Sequence, residues 1–193
     1  FDQGANGFGQ GEGCGMVLLK PLAIAQAAGD TVLAVICGSA INHDGQSRTI
    51  TTPNGLAQQA LLRQAIHQAA VAPQQIQYVE AHGTGTTLGD PVEVFALAEV
   101  LGKERTTPLA IGSVKTNIGH TNAAAGVAGL LKVVLALQHG ELPPTLHVQQ
   151  LNPRIPWQKL GITVPTTVTP WPAPAEGQPR LAGVSAFGMN GSN

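Results

Sequence analysis

The sequence predicts an α/β fold, in which helices cover the faces of a β-sheet. Short apolar runs, several of them rich in β-branched residues, alternate along the chain with longer segments of helical periodicity. This alternation is typical of α/β sheets. Only 11% of the 193 residues are charged, against roughly 25% in an average domain. Much of the chain must therefore be buried, in itself or against another surface, and its length fits one domain.

The first half of the chain is predicted to contain two strands, a loop and a helix. Residues 14–20 (CGMVLLK) and 31–41 (TVLAVICGSAI) are apolar and predict strands, the second of them buried. A loop dense in turn-forming residues occupies 42–55. Apolar residues at helical spacing then predict an amphipathic helix over 56–70, in a region that Pro73 ends.

The second half continues the alternation of strands and helices. Strands are predicted at 76–81, 109–114 and 181–187, with a shorter one inside the Pro-rich segment 143–180. Pro91 begins a helix for which Asp90 is a candidate N-cap. A nearly all-apolar helix is predicted at 121–139, with Gly140 as its end. Such a helix should be buried on most of its faces.

The composition excludes several classes of protein. A formal net charge of −1 provides no basic surface for nucleic acid or an anionic membrane. The longest apolar run, 126–137, is interrupted by Lys132 and is too short to span a bilayer. Cys14 and Cys37 lack CxxC spacing and lie in apolar surroundings. We therefore expect two buried thiols, neither a disulfide nor a metal ligand, in a reducing compartment such as the cytoplasm.

Polar loops follow three of the predicted strands directly. His82 follows the first, Lys115 and His120 follow the second, and the loop 188–191 (GMNG) follows the third. In α/β folds, ligands bind outside the carboxyl ends of strands. If these strands are neighbours, the three loops converge on one site.

Two histidines beside glycines suit a site that stabilises negative charge on a substrate. A neutral imidazole donates one N–H to a developing oxyanion, and His82 and His120 would supply two such donors. The glycines let the backbone approach a ligand closely. The uncharged hydroxyls of Thr84 and Thr86 suit a substrate arm that carries amides.

Each of these residues also has a purely structural interpretation. His82 could cap the turn that follows it, and His120 could simply precede a buried helix. Lys115 could be solvated, although its position between an apolar strand and an apolar helix favours burial near a carboxylate, with Glu93 as partner. Asp90 and Glu93 could simply be acids in a first helical turn, where they complement the helix dipole. No HExxH-type spacing supports a metal site.

Several long motifs are more specific than any single residue. They are EAHGTGTTLGDPVEV, GSVKTNIGHTNAAAGVAGLLK, LPPTLH and GVSAFGMNGSN, together with GFGQGEGCGMVLLK and INHDGQS…TPNG. In order and spacing they resemble the ketosynthase (β-ketoacyl synthase) domain of modular type I polyketide synthases, over essentially the whole chain. The resemblance implies a thiolase-like fold of two α/β halves in five layers, usually homodimeric. Residues 1–40 would end the N-terminal half and cross over, and 41–193 would form the C-terminal half.

The resemblance also implies a decarboxylative Claisen condensation. In the family, an acyl group first moves to a cysteine. A malonyl-type extender on acyl carrier protein then loses carbon dioxide, and the resulting carbanion attacks the acyl thioester. The carrier protein delivers substrates on its phosphopantetheine arm, and no covalently bound cofactor is implied for this chain.

The same resemblance assigns roles to four candidate catalytic residues. His82 and His120 match the two histidines that hold the extender's thioester oxygen as it becomes an enolate. Lys115 matches a family lysine that orders the site together with Glu93. These roles agree with the oxyanion chemistry that the residue types suggest.

Other positions match the family's binding elements. Thr84 and Thr86 match threonines that bind the phosphopantetheine arm, and the backbone of 188–191, beginning at Gly188, would help to form an oxyanion hole. Met189 occupies the position of a gating phenylalanine in many relatives. Methionine is softer and more adaptable, which predicts looser gating.

The family's nucleophilic cysteine lies in a TACSSS-like motif that this sequence lacks. Both ends of the chain look cut from something longer, so we expect the remaining N-terminal half of the ketosynthase to carry that cysteine. Two functions stay open: an elongating ketosynthase, or a non-elongating, gatekeeping one that binds and transfers acyl chains without condensation. A free-standing protein is disfavoured, because half of a two-half core would expose a large apolar surface.

Overall fold

A four-stranded parallel sheet organises the chain. The computed structural model describes residues 1–46, 49, 51–175 and 177–193. The strands in this part are β1 (Ile76–Glu80), β2 (Leu109–Gly112), β3 (Glu141–Leu142), β4 (Ile162–Thr163), β5 (Thr169–Pro170) and β6 (Leu181–Val184). The sheet order is β4-β2-β1-β6 with all neighbours parallel, and β3 pairs antiparallel with β5. The predicted α/β class is confirmed.

Helices cover both faces of this sheet. The α-helices in the described part are α1 (Leu22–Ala27), α2 (Gly55–Ala69), α3 (Gly89–Leu97), α4 (Lys115–Ile118) and α5 (Ala125–His139). One apolar cluster joins α2 and α3 to the sheet through Ile66, Val79, Val94, Leu97 and Ile111. A second joins α5 and the β3–β5 pair to it through Tyr78, Val133, Ala136, Leu142 and Trp171. Tyr78 and Val79 belong to different clusters because successive strand residues point to opposite faces.

Helix α2 confirms the predicted helix but turns a different face to the core. Asn54 caps it by accepting N–H bonds from Leu56 and Ala57 at 3.1 and 3.3 Å. Leu56, the first apolar residue of the predicted amphipathic helix, is 75% exposed, whereas Gln58 is buried. Capping thus fixes where α2 begins, and contacts with α3 decide which face is covered.

The ends of the other helices give one confirmation and one correction. Helix α5 ends at Gly140, which adopts the left-handed φ of 67° that glycine tolerates. Asp90 is not an N-cap, because α3 begins at Gly89 and Asp90 lies inside it. Its buried carboxylate instead accepts the N–H of Gly85 at 2.9 Å, so it is used by the preceding loop.

Two predicted strands are wrong. Residues 14–20 and 31–41 form no strand in the described chain, and their side chains are largely exposed, with Leu18 at 96%. Cys14 and Cys37, predicted to be buried, are exposed too. Composition indicates β-propensity, but a strand forms only where a neighbouring strand takes its backbone hydrogen bonds.

Two predicted irregular segments contain residues that the structure does not describe. In the loop 42–55, Ser47, Arg48 and Ile50 lie outside the described residues, as does Glu176 in the Pro-rich segment. The short strand predicted at GITVP is confirmed as β4.

Helix α5 is buried on one face only, which corrects the expectation of burial on most faces. Gly129, Val133 and Ala136 are buried, whereas Leu135 is 54% exposed. The outer face lines an open groove of about 570 Å³ together with Cys14 and its neighbours. Within the described residues, most of this apolar face is therefore left open to the groove.

By length and composition alone, residues Asn122–His139 would be long and apolar enough to cross a membrane. This differs from the expectation based on 126–137. The packing argues for a helix of the protein core, because Lys132 lies buried in an ion pair with Glu80 of β1 at 2.7 Å. A lysine held against the central sheet does not face lipid.

Candidate functional site

The carboxyl ends of β1, β2 and β6 meet at one edge of the sheet, as predicted. Ala81, just after β1, donates its N–H to the last carbonyl of β2 at 2.8 Å, and Ser185, just after β6, donates to that of β1 at 2.9 Å. These bonds fix the separation of the loops that follow. The rings of His82 and His120 consequently lie 5.4 Å apart between centroids, edge to face.

Backbone donors fix the same tautomer in both histidines. Phe187 donates its N–H to Nδ1 of His82 at 3.3 Å. Asn122 donates its N–H to Nδ1 of His120 at 3.0 Å. Because Nδ1 accepts in each ring, the proton of the neutral imidazole sits on Nε2. Each histidine therefore keeps one Nε2–H group as a donor.

Both histidines are held neutral at physiological pH. Burial, with the nearby charges of Lys115 and His120, lowers the pKa of His82 to about 3. Burial and the charge of Lys115 also lower the pKa of His120. His82 does not cap the turn that follows it, since its acceptor nitrogen is used by Phe187, 105 residues further along the chain.

A buried carboxylate of α3 anchors the loop that carries His82. Glu93 accepts the N–H groups of His82 and Gly83 at 2.7 and 2.8 Å. Burial raises the pKa of Glu93 to about 7, although these two N–H groups oppose the shift. Gly83 has a φ of 46°, and a Cβ there would lie 2.8 Å from Cβ of Ser113. Only glycine lets the loop cross the β2 end this closely.

Lys115 lies near Glu93 without pairing with it. No direct ion pair joins the two within the residues described, but each charge shifts the pKa of the other. Their joint role in ordering the site stays a prediction. Burial lowers the pKa of Lys115, while the negative charges of Glu93, Glu80 and Asp90 raise it. The attraction between Lys115 and Glu93 therefore acts without a direct contact. The carboxyl oxygens of Glu93 instead accept backbone N–H groups of the loop that carries His82.

Thr84 and Thr86 are half-buried in the same loop. Their hydroxyl oxygens lie 3.4 Å apart, and Oγ1 of Thr86 accepts the N–H of Gly89 at 3.0 Å, where α3 begins. Thr84 also lines a cavity of about 320 Å³ together with Lys115. The hydroxyl of Thr86 thus has a structural role at the start of α3. Binding of the phosphopantetheine arm by either hydroxyl stays a prediction.

The loop 188–191 is closed by its own hydrogen bonds. Gly188 donates its N–H to the carbonyl of Ser192 at 2.6 Å, and Gly191 donates to that of Gly188 at 3.0 Å. The N–H of Gly188 is therefore already used, which argues against it as an oxyanion-hole donor. Met189 is 75% exposed, and its gating role stays a prediction.

Sequence reasoning missed that the Gly-rich opening of the chain packs against the site. Gly7 donates its N–H to the carbonyl of Gly85, and His120 donates to that of Gly9, both at 2.9 Å. The ring of Phe8 lies 4.7 Å from that of His120, centroid to centroid. A loop without periodicity gives no signal for where it packs, although its repeated glycines indicate close approach of some backbone.

Residues 33–149 match the family described as the β-ketoacyl synthase C-terminal domain. Over 195 residues, the chain is 56% identical to a phenolphthiocerol/phthiocerol polyketide synthase of Mycobacterium tuberculosis. It is 52% identical, again over 195 residues, to erythronolide synthase EryA3 of Saccharopolyspora erythraea. Each match covers 100% of this chain, which spans only 10% and 6% of the two relatives.

Solved ketosynthases share this structure. The ketosynthase from module 6 of the bacillaene synthase from Bacillus subtilis 168 matches with a TM-score of 0.96 at 46% identity. The match covers 100% of this chain and 35% of that one. The oxazolomycin ketosynthase domain from Streptomyces albus matches with a TM-score of 0.95 at 42% identity. The predicted thiolase-like fold is therefore confirmed.

Proposed function

The chain belongs to the family of β-ketoacyl synthase C-terminal domains, and from this premise we propose that it supplies the histidine side of a condensing site. The proposed reaction joins an acyl thioester to a malonyl-type extender on acyl carrier protein, with loss of carbon dioxide. In it, His82 and His120 donate hydrogen bonds to the extender's thioester oxygen while the enolate forms. The product is a polyketide chain extended by one unit.

The paired histidines carry this proposal. Both rings hold their proton on Nε2, and the centroids are 5.4 Å apart. Decarboxylation builds negative charge on one oxygen, where a preorganised donor is worth about 3 kcal/mol. Two imidazolium rings at this distance would repel each other, so the lowered pKa values of His82 and His120 favour a site that is neutral before substrate binds.

Lys115 and Glu93 support the histidines in this proposal without touching the reacting atoms. The charge of Lys115 lowers the pKa of both rings, and Glu93 fixes the main chain at His82. The proposed contacts with the phosphopantetheine arm are made by Thr84 and Thr86, and the acyl chain is gated by the loop that begins at Gly188 and carries Met189.

The partners in this proposal are the rest of the ketosynthase domain, a second copy in a homodimer, and acyl carrier protein, all in the cytoplasm. The rest of the domain would bring the nucleophilic cysteine. The exposed apolar side chains of Met16, Leu18 and Leu19 support this, since an uncovered patch of this kind marks an interaction surface. Cys14 and Cys37 are also exposed, in the segments 14–20 and 31–41 that form no strand in the described chain.

The test separates acyl loading from condensation in a complete ketosynthase that contains this chain. His82→Ala and His120→Ala should each slow carbon dioxide release from malonyl carrier protein by about a hundredfold or more, because each removes one oxyanion donor. Loading of the cysteine, followed by intact mass, should be largely retained. Normal elongation by His120→Ala would contradict the proposal.

His67→Ala is the matched control, because His67 is exposed on α2 and contacts neither ring of the site. It should elongate at the wild-type rate. Acyl transfer to carrier protein without any carbon dioxide release from the unmodified enzyme would instead support the gatekeeping function.

A further inference from the structure

A buried cluster of three polar side chains lies beneath the histidines, and the proposed function makes no use of it. Tyr78 and Glu80 are each 1% exposed, and Lys132 is 9% exposed. Lys132 pairs with Oε2 of Glu80 at 2.7 Å and donates to the hydroxyl of Tyr78 at 2.9 Å. That hydroxyl donates to the same Glu80 oxygen at 2.7 Å. Two contacts therefore hold this carboxylate oxygen, and a third joins the two groups that make them.

The other oxygen of Glu80 reaches the turn that follows the neighbouring strand β2. Oε1 accepts the N–H of Val114, the residue before Lys115. The main chain of Glu80 leads through Ala81 directly to His82. One carboxyl group therefore bridges the two strand ends from which the His82 loop and the Lys115 turn begin.

Two glycines make room for this cluster. A Cβ at Gly129 of α5 would lie 3.1 Å from Cγ of Glu80, and a Cβ at Gly112 would lie 2.6 Å from the hydroxyl of Tyr78. A buried ion pair is often no more stabilising than apolar side chains of the same volume. Stability alone therefore does not account for a cluster that requires such close packing.

We propose that Glu80 is a positioning residue for the condensation, which holds the Val114–Lys115 turn against the end of β1, two residues before His82. Lys132 and Tyr78 fix the orientation of its carboxyl group. The inference rests on the proposed function, because it acts through the two histidine donors. The charge of Lys115 lowers the pKa of His82 and His120, so a displaced turn changes both the geometry and the charge around them.

Two double variants of the complete ketosynthase test the bond to Val114. Glu80→Gln with Lys132→Met keeps an oxygen for this N–H, whereas Glu80→Leu with Lys132→Met removes it. Both remove the two charges together, so neither leaves an unpaired buried ion. The Leu variant should lower kcat for condensation by about tenfold to a hundredfold. Its cysteine loading and its KM for malonyl carrier protein should stay near those of wild type.

The Gln variant should condense faster than the Leu variant, because it keeps an oxygen for the N–H of Val114. Equal condensation rates in the two double variants would overturn the proposal, because the bond to Val114 would then make no difference. Circular dichroism and thermal unfolding establish that both variants are folded before their rates are compared.

A second pair of variants, one that displaces Glu80 and one control, tests the proposal if the Leu variant does not fold. Neither variant removes a polar group. Gly129→Ala puts a methyl group against Glu80, and alanine favours a helix interior over glycine. Gly126→Ala on the same helix meets only Cβ of Ala186 at 3.4 Å, an ordinary contact. Condensation should fall about tenfold in the first variant and stay at the wild-type rate in the second. Equal rates in both would contradict the inference.

His120→Ala, measured beside these variants, separates the two proposals. Normal elongation by His120→Ala overturns the proposed function itself. If His120→Ala stops condensation while the Leu variant and Gly129→Ala both elongate normally, only the positioning role of Glu80 fails.

Discussion

The two histidines lie side by side in the site, but different groups hold their main chains in position. The loop after β1 is held by the buried carboxylate of Glu93, which accepts the N–H groups of His82 and Gly83. His120, which follows α4, is held by peptide groups, since it donates its N–H to the carbonyl of Gly9 at 2.9 Å. A histidine held by an ionisable group should respond to charge and pH. One held by peptide groups should respond to the packing of the neighbouring loop.

Removing the carboxylate should have the largest effect on the first loop. Glu93→Ala leaves two N–H groups of a half-buried loop, at His82 and Gly83, without their acceptor. An unsatisfied buried group costs roughly 1–3 kcal/mol, so the free energy of unfolding should fall by about 2 kcal/mol, the lower end of the range for two groups. Chemical denaturation of the complete ketosynthase measures it, and condensation should be lost as well.

Glu99→Ala is the matched control for that experiment. Glu99 follows α3 in the chain and forms an exposed ion pair with Lys103 at i,i+4, a kind of contact that contributes little. Its replacement should leave stability and condensation unchanged within error. If Glu93→Ala behaved in the same way, the carboxylate would not be what holds the His82 loop.

The pH dependence of stability should have opposite signs for the two residues of that contact. The pKa of His82 is lowered from 6.5 to about 3, so the folded state binds fewer protons than the unfolded chain between these values. Stability then falls as pH falls through this window. The pKa of Glu93 is raised from 4.5 to about 7, so its contribution falls as pH rises through that range. Each effect is up to about 1.4 kcal/mol per pH unit.

Single variants should reveal the two opposing slopes between about pH 4.5 and 6.5, where both groups act. His82→Asn should make the protein relatively more stable at the acid end, and Glu93→Gln should make it relatively less stable there. His67→Asn, at an exposed position on α2, should leave the slope unchanged. Denaturation at several pH values measures how each variant changes the slope of stability against pH relative to the wild type. Changes of the same sign in the first two variants would contradict the assignment.

The part of the site that could be predicted is the part marked by local sequence. A strand that ends before His82 and a strand that ends before Lys115 can be identified from apolar runs that stop at polar residues. Neighbouring parallel strands then bring these residues together. The sequence suggests Glu93 as a neighbour of Lys115, but it does not show that the N–H groups of His82 and Gly83 use the oxygens of that carboxyl group.

The contacts that could not be predicted join distant parts of the chain. Glu80 looks like an ordinary strand residue, and nothing local marks its contact with Lys132, which lies 54 residues beyond Tyr78. Residues 14–20 and 31–41 show the converse case, because their composition favours strands but the described chain gives them no strand to pair with. Propensity describes what a segment can do, and long-range hydrogen bonds decide what it does.

The smallest predicted effect concerns the support of the second loop. The ring of Phe8 lies 4.7 Å from that of His120, and an aromatic contact of this kind is worth about 0.5–1.5 kcal/mol. Phe8→Ala should therefore slow condensation by roughly two- to tenfold, with cysteine loading and global stability close to wild type.

Phe95→Ala provides a control with the same exposure, since Phe8 and Phe95 are both 42% exposed. Phe95 lies on α3 and makes no ring contact with either histidine among the described residues. If the opening loop supports His120 specifically, Phe8→Ala should slow carbon dioxide release from malonyl carrier protein more than Phe95→Ala does. Equal rates would mean that the backbone bond from His120 to Gly9 holds the ring without help from the phenylalanine. The two histidines would then differ in the acceptor of their own backbone N–H, a carboxylate for His82 and a peptide carbonyl for His120.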